Sequence, residues 1–154
     1  MLIVAFAVPT YGPIPMPSGT PPVPAARVPT AADEALIVNS GSTNSAGYRL
    51  RVYADGTTAL QQGDAALRKH VSLALVKRFF ADLRAAGPLD ALPRAACMKS
   101  ASFGTSTQIG YRGKLSPDLS CPSASSTERA LAIDADALAA AGGVTMLLRP
   151  QPSP

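Results

Sequence analysis

The chain has no tryptophan, one histidine and two cysteines among its 154 residues, and each scarcity closes off a class of function. A zinc centre needs three or four His, Cys or carboxylate ligands at set spacings, and one His with two Cys and no CxxC pair does not complete such a set. No metal and no other cofactor is therefore expected. The absence of a G-x-S-x-G elbow leaves His70, the residue type suited to proton transfer at neutral pH, without a recognisable nucleophile. Its plainest reading is a solvent-exposed residue at the start of a helix, so no catalytic residue is assigned. A phosphate cradle is missing too: the Gly- and Ser-rich stretch Gly41 to Gly47 contains no P-loop lysine and no helix follows it. Candidate carboxylate pairs for glycoside chemistry reduce to Asp33 with Glu34 and Asp134 with Asp136. Residues two apart on a helix point in different directions, so these read as charged surface.

Charge is scarce as well, at 16% of residues, with 14 Lys and Arg against 10 Asp and Glu dispersed along the chain. The one tight basic run, Arg68, Lys69, His70, reads as a solvated loop or helix start. Two stretches interleave basic and aromatic residues, YRLRVY and YRGK. In the first, Arg49, Arg51 and Tyr53 fall on one side of a strand, and Arg112 and Lys114 of the second are expected near it. These five form a candidate binding surface, although exposed sheet faces carry Arg and Tyr for edge protection in any case. No nucleic-acid partner is expected.

An apolar stretch from Leu2 to Val8 opens the chain, and Ala5-Phe6-Ala7 has the small-x-small pattern of a signal-peptidase site. Seven residues cannot span a bilayer, and no transmembrane segment is expected. Because no Lys or Arg precedes Arg27, the stretch reads as the trailing end of an export signal whose start lies upstream. Export agrees with the leading reading of Cys97 and Cys121, a disulfide, which persists in an oxidising compartment; two buried free thiols are the alternative. Closing a loop of that size stabilises by about 3 to 4 kcal/mol in the chain-entropy model. The expected location is periplasmic or secreted.

Eight of the 15 prolines lie before residue 30, which marks an extended linker. Residues 1–32 are thus read as the apolar remnant and Pro-rich linker, 33–149 as a single domain and 150–154 as a disordered tail. Within the domain, Ala35 to Asn39 reads as a buried strand and Ser40 to Ala46 as a loop. Tyr48, Leu50 and Val52 alternate with polar neighbours in a second strand, and Asp55-Gly56 supplies the positive φ angles of a tight turn into Thr57 to Gln61. A helix begins after the N-cap Ser72, with Leu73, Val76, Phe80 and Leu83 on one stripe widened by Leu75 and Phe79, and ends at Gly87-Pro88. Thr107, Ile109 and Tyr111 alternate as another strand, followed by a turn at Arg112-Gly113-Lys114. Ser125 and Glu128 have capping-box spacing ahead of a second helix carrying Leu131 and Leu138 up to Gly142-Gly143, and Val144 to Leu148 reads as a closing strand. The expectation is an α+β fold: a small antiparallel sheet of about four strands with one or two helices packed on one face and one disulfide.

The succession of GYRLRVYADG, VSLALVKRFFADLRAAGPLDAL and TQIGYRGK resembles a family of uncharacterised domains in exported bacterial proteins, over residues 35 to 140. In those a strand ending in Asp-Gly precedes a helix and further strands; their cysteine-containing opening is replaced here by NSGSTNSAG. The resemblance brings no activity. The chain is accordingly read as an exported bacterial domain, a non-catalytic binding or structural module whose partner is a protein or envelope component; its candidate contact surface is the polar segment Lys99 to Ser120, for which a plain strand with its turns is the favoured alternative. The alternative is a small hydrolase with an unrecognised Ser/His site, distinguished by a pocket that gathers His70 with a serine and a carboxylate.

Overall fold

Residues that alternate between apolar and polar build the sheet, and six strands result rather than about four. The computed structural model describes residues 27–100 and 102–145. Its elements are β1 (Glu34–Asn39), β2 (Tyr48–Tyr53), β3 (Thr57–Gln62), β4 (Ala65–His70), α1 (Leu73–Ala86), β5 (Thr107–Tyr111), β6 (Lys114–Leu115) and α2 (Ser126–Gly142). The first four strands form a meander, and β5 then returns to the free side of β1, giving the order β4-β3-β2-β1-β5-β6 with every pair antiparallel. The class is α+β. The apolar stretch 2–8 and the tail 150–154 lie outside the described residues, as does 146–148; Val144 and Thr145 are in no strand.

Turn chemistry explains the register. The β2–β3 connection is a three-residue loop, closed by Gly56 N–H donating to the Tyr53 carbonyl at 3.0 Å, and only Gly56 has a positive φ. Asp55 stays right-handed because its carboxylate accepts from the Thr57 N–H at 2.8 Å, which corrects the two-residue turn expected there. Paired positive φ angles of the type I′ kind occur at Arg112 (48°) and Gly113 (73°) instead, joining β5 to β6. A second correction concerns Arg68-Lys69-His70, which is neither loop nor helix start: it lies in the edge strand β4, with His70 opposite Thr57. Every residue of β4 is exposed, and its charges suit an edge that must not recruit another strand.

The core lies between one sheet face and the two helices. Ile37 stands opposite both Leu50 and Ile109, so three strands present one apolar row. From α1 come Val76, Phe79, Phe80 and Leu83, with the Phe80 ring edge-on to Phe79 at 5.7 Å and to Tyr111 at 5.9 Å. Leu73 departs from the expected stripe: it is 49% exposed and lies beside Gly56 of the β2–β3 loop. Helix α2 contributes Leu131, Ala135 and Leu138. A Cβ at Gly142 would stand 3.0 Å from Leu50 Cδ1, so glycine there lets the helix end sit directly on β2.

Between the helices, Arg78 of α1 donates through Nε to Asp134 Oδ1 at 2.8 Å. Asp134 is 2% exposed, so it is a buried partner rather than surface charge. The opposite sheet face is met by Arg27–Thr30: Pro29 is buried, its carbonyl accepts from Gly113 N–H at 2.7 Å, and Val28 lies against Gly110. Cys97 and Cys121 form the disulfide, with α-carbons 5.6 Å apart. No helix among the described residues is long and apolar enough to cross a membrane.

Candidate functional site

Where β1 ends and β2 and β5 begin, Asn39 stands opposite Tyr48 on one side and Thr107 on the other. Above this end of the sheet runs α2, and between them lies a cavity of about 860 Å³. Its size is in the range that accepts small organic molecules. The helix faces it with Glu128, Ala132, Asp136 and Ala139, spaced as residues on one helical stripe are. Alanines keep that stripe low, which is why the space is not filled by side chains. Leu119, Val144 and Cys121 add apolar wall.

Most polar groups around the cavity already have partners. Asn39 donates through Nδ2 to Thr107 Oγ1 at 3.0 Å and accepts from Gly41 N–H at 2.9 Å. Gln62 donates to the Thr145 carbonyl at 2.7 Å and accepts from its N–H at 3.2 Å. Arg129 turns its guanidinium back to the Ser123 and Ala124 carbonyls at 2.9 and 2.8 Å. Burial, and then the charge of Asp136, push the Tyr48 phenol up to about 12. Asp136 sits at the rim, its carboxyl raised by desolvation against the cavity wall.

Glu128 is the exception. It is 3% exposed, and its Oε1 is buried with no hydrogen-bond partner among the described residues. The capping box expected from Ser125 and Glu128 is half formed. Ser125 Oγ accepts from Glu128 N–H at 3.3 Å, but the Ser125 N–H that the glutamate should take is held by Ser123 Oγ at 3.1 Å. Displaced from its capping role, the Glu128 side chain is buried at the cavity wall, with Oε1 covered by protein. A second buried oxygen, Asp134 Oδ2, also lacks a hydrogen bond. Burial raises the neighbouring Asp82 carboxyl, and the charge of Asp134 and hydrogen bonding toward it raise it further.

At the mouth of the cavity, inside the disulfide-bounded segment, Lys99 Nζ lies 2.6 Å from Ser120 Oγ and 2.7 Å from the Thr105 carbonyl, and it also bonds Asp118. This is not the geometry of a Ser–Lys nucleophile. Every partner of the ammonium is an acceptor, so Ser120 receives a proton bond from Lys99 and donates its own to Asp118 Oδ1 or the Thr105 carbonyl. Burial alone would raise Asp118. Hydrogen bonds from Lys99, from the Ser120 hydroxyl and from the Ser120 and Thr107 N–H groups outweigh it and hold the carboxyl well below the usual range. The cluster fastens the loop to β5.

The candidate surface of Arg49, Arg51, Tyr53, Arg112 and Lys114 divides in two. Arg49, Arg51 and Tyr53 share the sheet face away from the helices, where Arg51 pairs with Glu34. Register adds Arg68 and His70 of β4 to that face, through Ala59 and Thr57. Lys114 stands opposite Tyr111 on the helix side and pairs with Asp90 at 2.8 Å, while Arg112 lies 5.2 Å over the Tyr111 ring. β1 intervenes between β2 and β5, which spacing in the chain does not reveal. His70 lies opposite Thr57, five residues along β3 from Gln62 and roughly 17 Å from the cavity, so it does not line it. Among the described residues no three His, Cys, Asp or Glu side chains group as a metal site. Set against protein-family models, curated proteins and solved structures, the chain matches none of them.

Proposed function

We propose that this chain is an exported, periplasmic or secreted binding module without catalytic machinery, and that its ligand site is the cavity under α2. The observation that carries the reading is the 860 Å³ space itself, left open between α2 and the end of the sheet where the helix lines it with Ala132, Ala139 and Ala140. The disulfide and the resemblance to exported bacterial domains support the oxidising location.

Nile red, a neutral dye that fluoresces in apolar surroundings, tests the cavity. The oxidised domain should bind it saturably at one site, and Ala132→Trp, which fills the space from the α2 side, should abolish that binding. Dye binding that survives Ala132→Trp, or none at all, overturns the reading. For the location, recovery of the Cys97–Cys121 peptide in oxidised form from the envelope or culture medium is expected. Recovery from cytosol with both thiols reduced overturns it.

A further inference from the structure

We infer that the sheet face turned away from the helices docks a linear acidic polysaccharide, which lies along β3 and gives its carboxylates to Arg49, Arg51 and Arg68. This surface is separate from the cavity and the inference does not rest on it. Register sets Ala59 of β3 between Arg51 of β2 and Arg68 of β4, so an arginine stands on each side of it, the pair roughly 10 Å apart. Arg49 follows Arg51 roughly 7 Å along β2, across from Gln61. Between these arginines β3 presents a floor without large apolar or aromatic side chains, and Gln61 and all of β4 are exposed. Arg51 is answered by Glu34, the one acidic residue within β1 to β4. The guanidinium groups of Arg49 and Arg68 have no hydrogen bond or ion pair among the described residues. Edge protection suits Arg68, but β2 is an interior strand and Arg49 guards no edge.

A guanidinium takes a carboxylate through two parallel N–H bonds, and the Gln61 amide, which both donates and accepts, suits the hydroxyls of a sugar. Tyr53 continues the row of Arg49 and Arg51 with a ring of apolar body and polar tip, the same mixture that a sugar ring presents. Two other polyanions fit less well. Single-stranded nucleic acid is held by aromatic rings that stack successive bases, and Tyr53 is the one Phe, Tyr or Trp that β2 to β4 set on this face. An anionic membrane is held by apolar side chains that enter it, and those strands turn no aliphatic side chain larger than alanine this way.

Isothermal titration of the full oxidised chain at low salt with a galacturonate octamer tests the proposal, beside a neutral dextran octamer, an oligothymidylate of equal charge and vesicles of phosphatidylglycerol. Galacturonate should bind saturably and more tightly than oligothymidylate or the vesicles, and dextran should not bind. Arg49→Gln with Arg68→Gln should weaken galacturonate at least tenfold. Lys77→Gln with Arg84→Gln, which removes the same charge from exposed positions of α1, should leave it within about threefold. An equal loss in both double variants reduces the binding to overall charge and overturns the inference. So does oligothymidylate, vesicle or dextran binding as tight as that of galacturonate, and so does a native chain that binds no galacturonate. Near-ultraviolet circular dichroism identical to wild type shows that the Arg49 and Arg68 double variant is folded. Should it not be, the exposed Arg68→Gln alone serves, with an expected loss of at least threefold against Lys77→Gln as its control.

Discussion

Two buried carboxylates on one helix meet opposite surroundings. Asp134 faces α1, where Arg78 bonds one of its oxygens and Asp82 adjoins the other. Glu128 lies at the cavity wall, where its Oε1 is covered by protein and has no donor. The sequence of α2 makes the two look alike, as acidic residues among alanines. Their difference lies in what the rest of the fold sets against them, and it separates an acid that ties two helices together from one whose side chain is bonded to nothing.

The comparison breaks first if the helix-facing side is not the stable side. Phe80→Ala removes a ring that touches Phe79 and Tyr111 and should cost about 3 to 5 kcal/mol in chemical unfolding; a loss under 1 kcal/mol would show that α1 is not the anchor. Replacing both cysteines with serine opens a loop of 24 residues' separation and should cost about 3 to 4 kcal/mol. Because Cys121 lines the cavity, that double variant should also lose Nile red binding at temperatures where the core stays folded.

Changes on α2 and its neighbour sharpen the contrast. Glu128→Met removes an orphaned oxygen without opening a void and should stabilise the chain by about 1 to 3 kcal/mol, whereas Asp134→Met also gives up the bond from Arg78 and brings no comparable gain. The smallest effect is at Asp82. Its folded-state carboxyl is raised, so the stability linked to its proton is complete below the ordinary carboxylate range, near pH 4, and is lost as pH rises through the higher folded value. Asp82→Asn should therefore raise the Tm by about 1 to 4 °C at neutral pH, with the gain vanishing below about pH 4. A gain that persists at pH 3 would mean the aspartate is not raised.

Local periodicity carried much of the fold. The stripe Val76, Phe80 and Leu83 and the alternation Leu50, Val52 locate α1 and β2 because burial on one face writes a period of 3.6 or 2 into the residues. β4 escaped that test: Leu67 is its one large apolar residue, and an edge strand exposed throughout has no buried face to record. The available signal was Gly63-Asp64, a dipeptide that closes two-residue hairpins. The cavity left less trace. Ser125-x-x-Glu128 announces a cap, and only the fold shows that Ser123 has taken the donor and sent the glutamate inward. Likewise Arg112 and Lys114 look like companions of Arg49 and Arg51 until β1 is found between their strands.

The most direct measurement is saturable Nile red binding by the oxidised chain set beside Ala132→Trp. The expected result is one site in the native chain and none in Ala132→Trp; binding that survives the tryptophan would contradict the central claim that α2 and the end of the sheet enclose a ligand site.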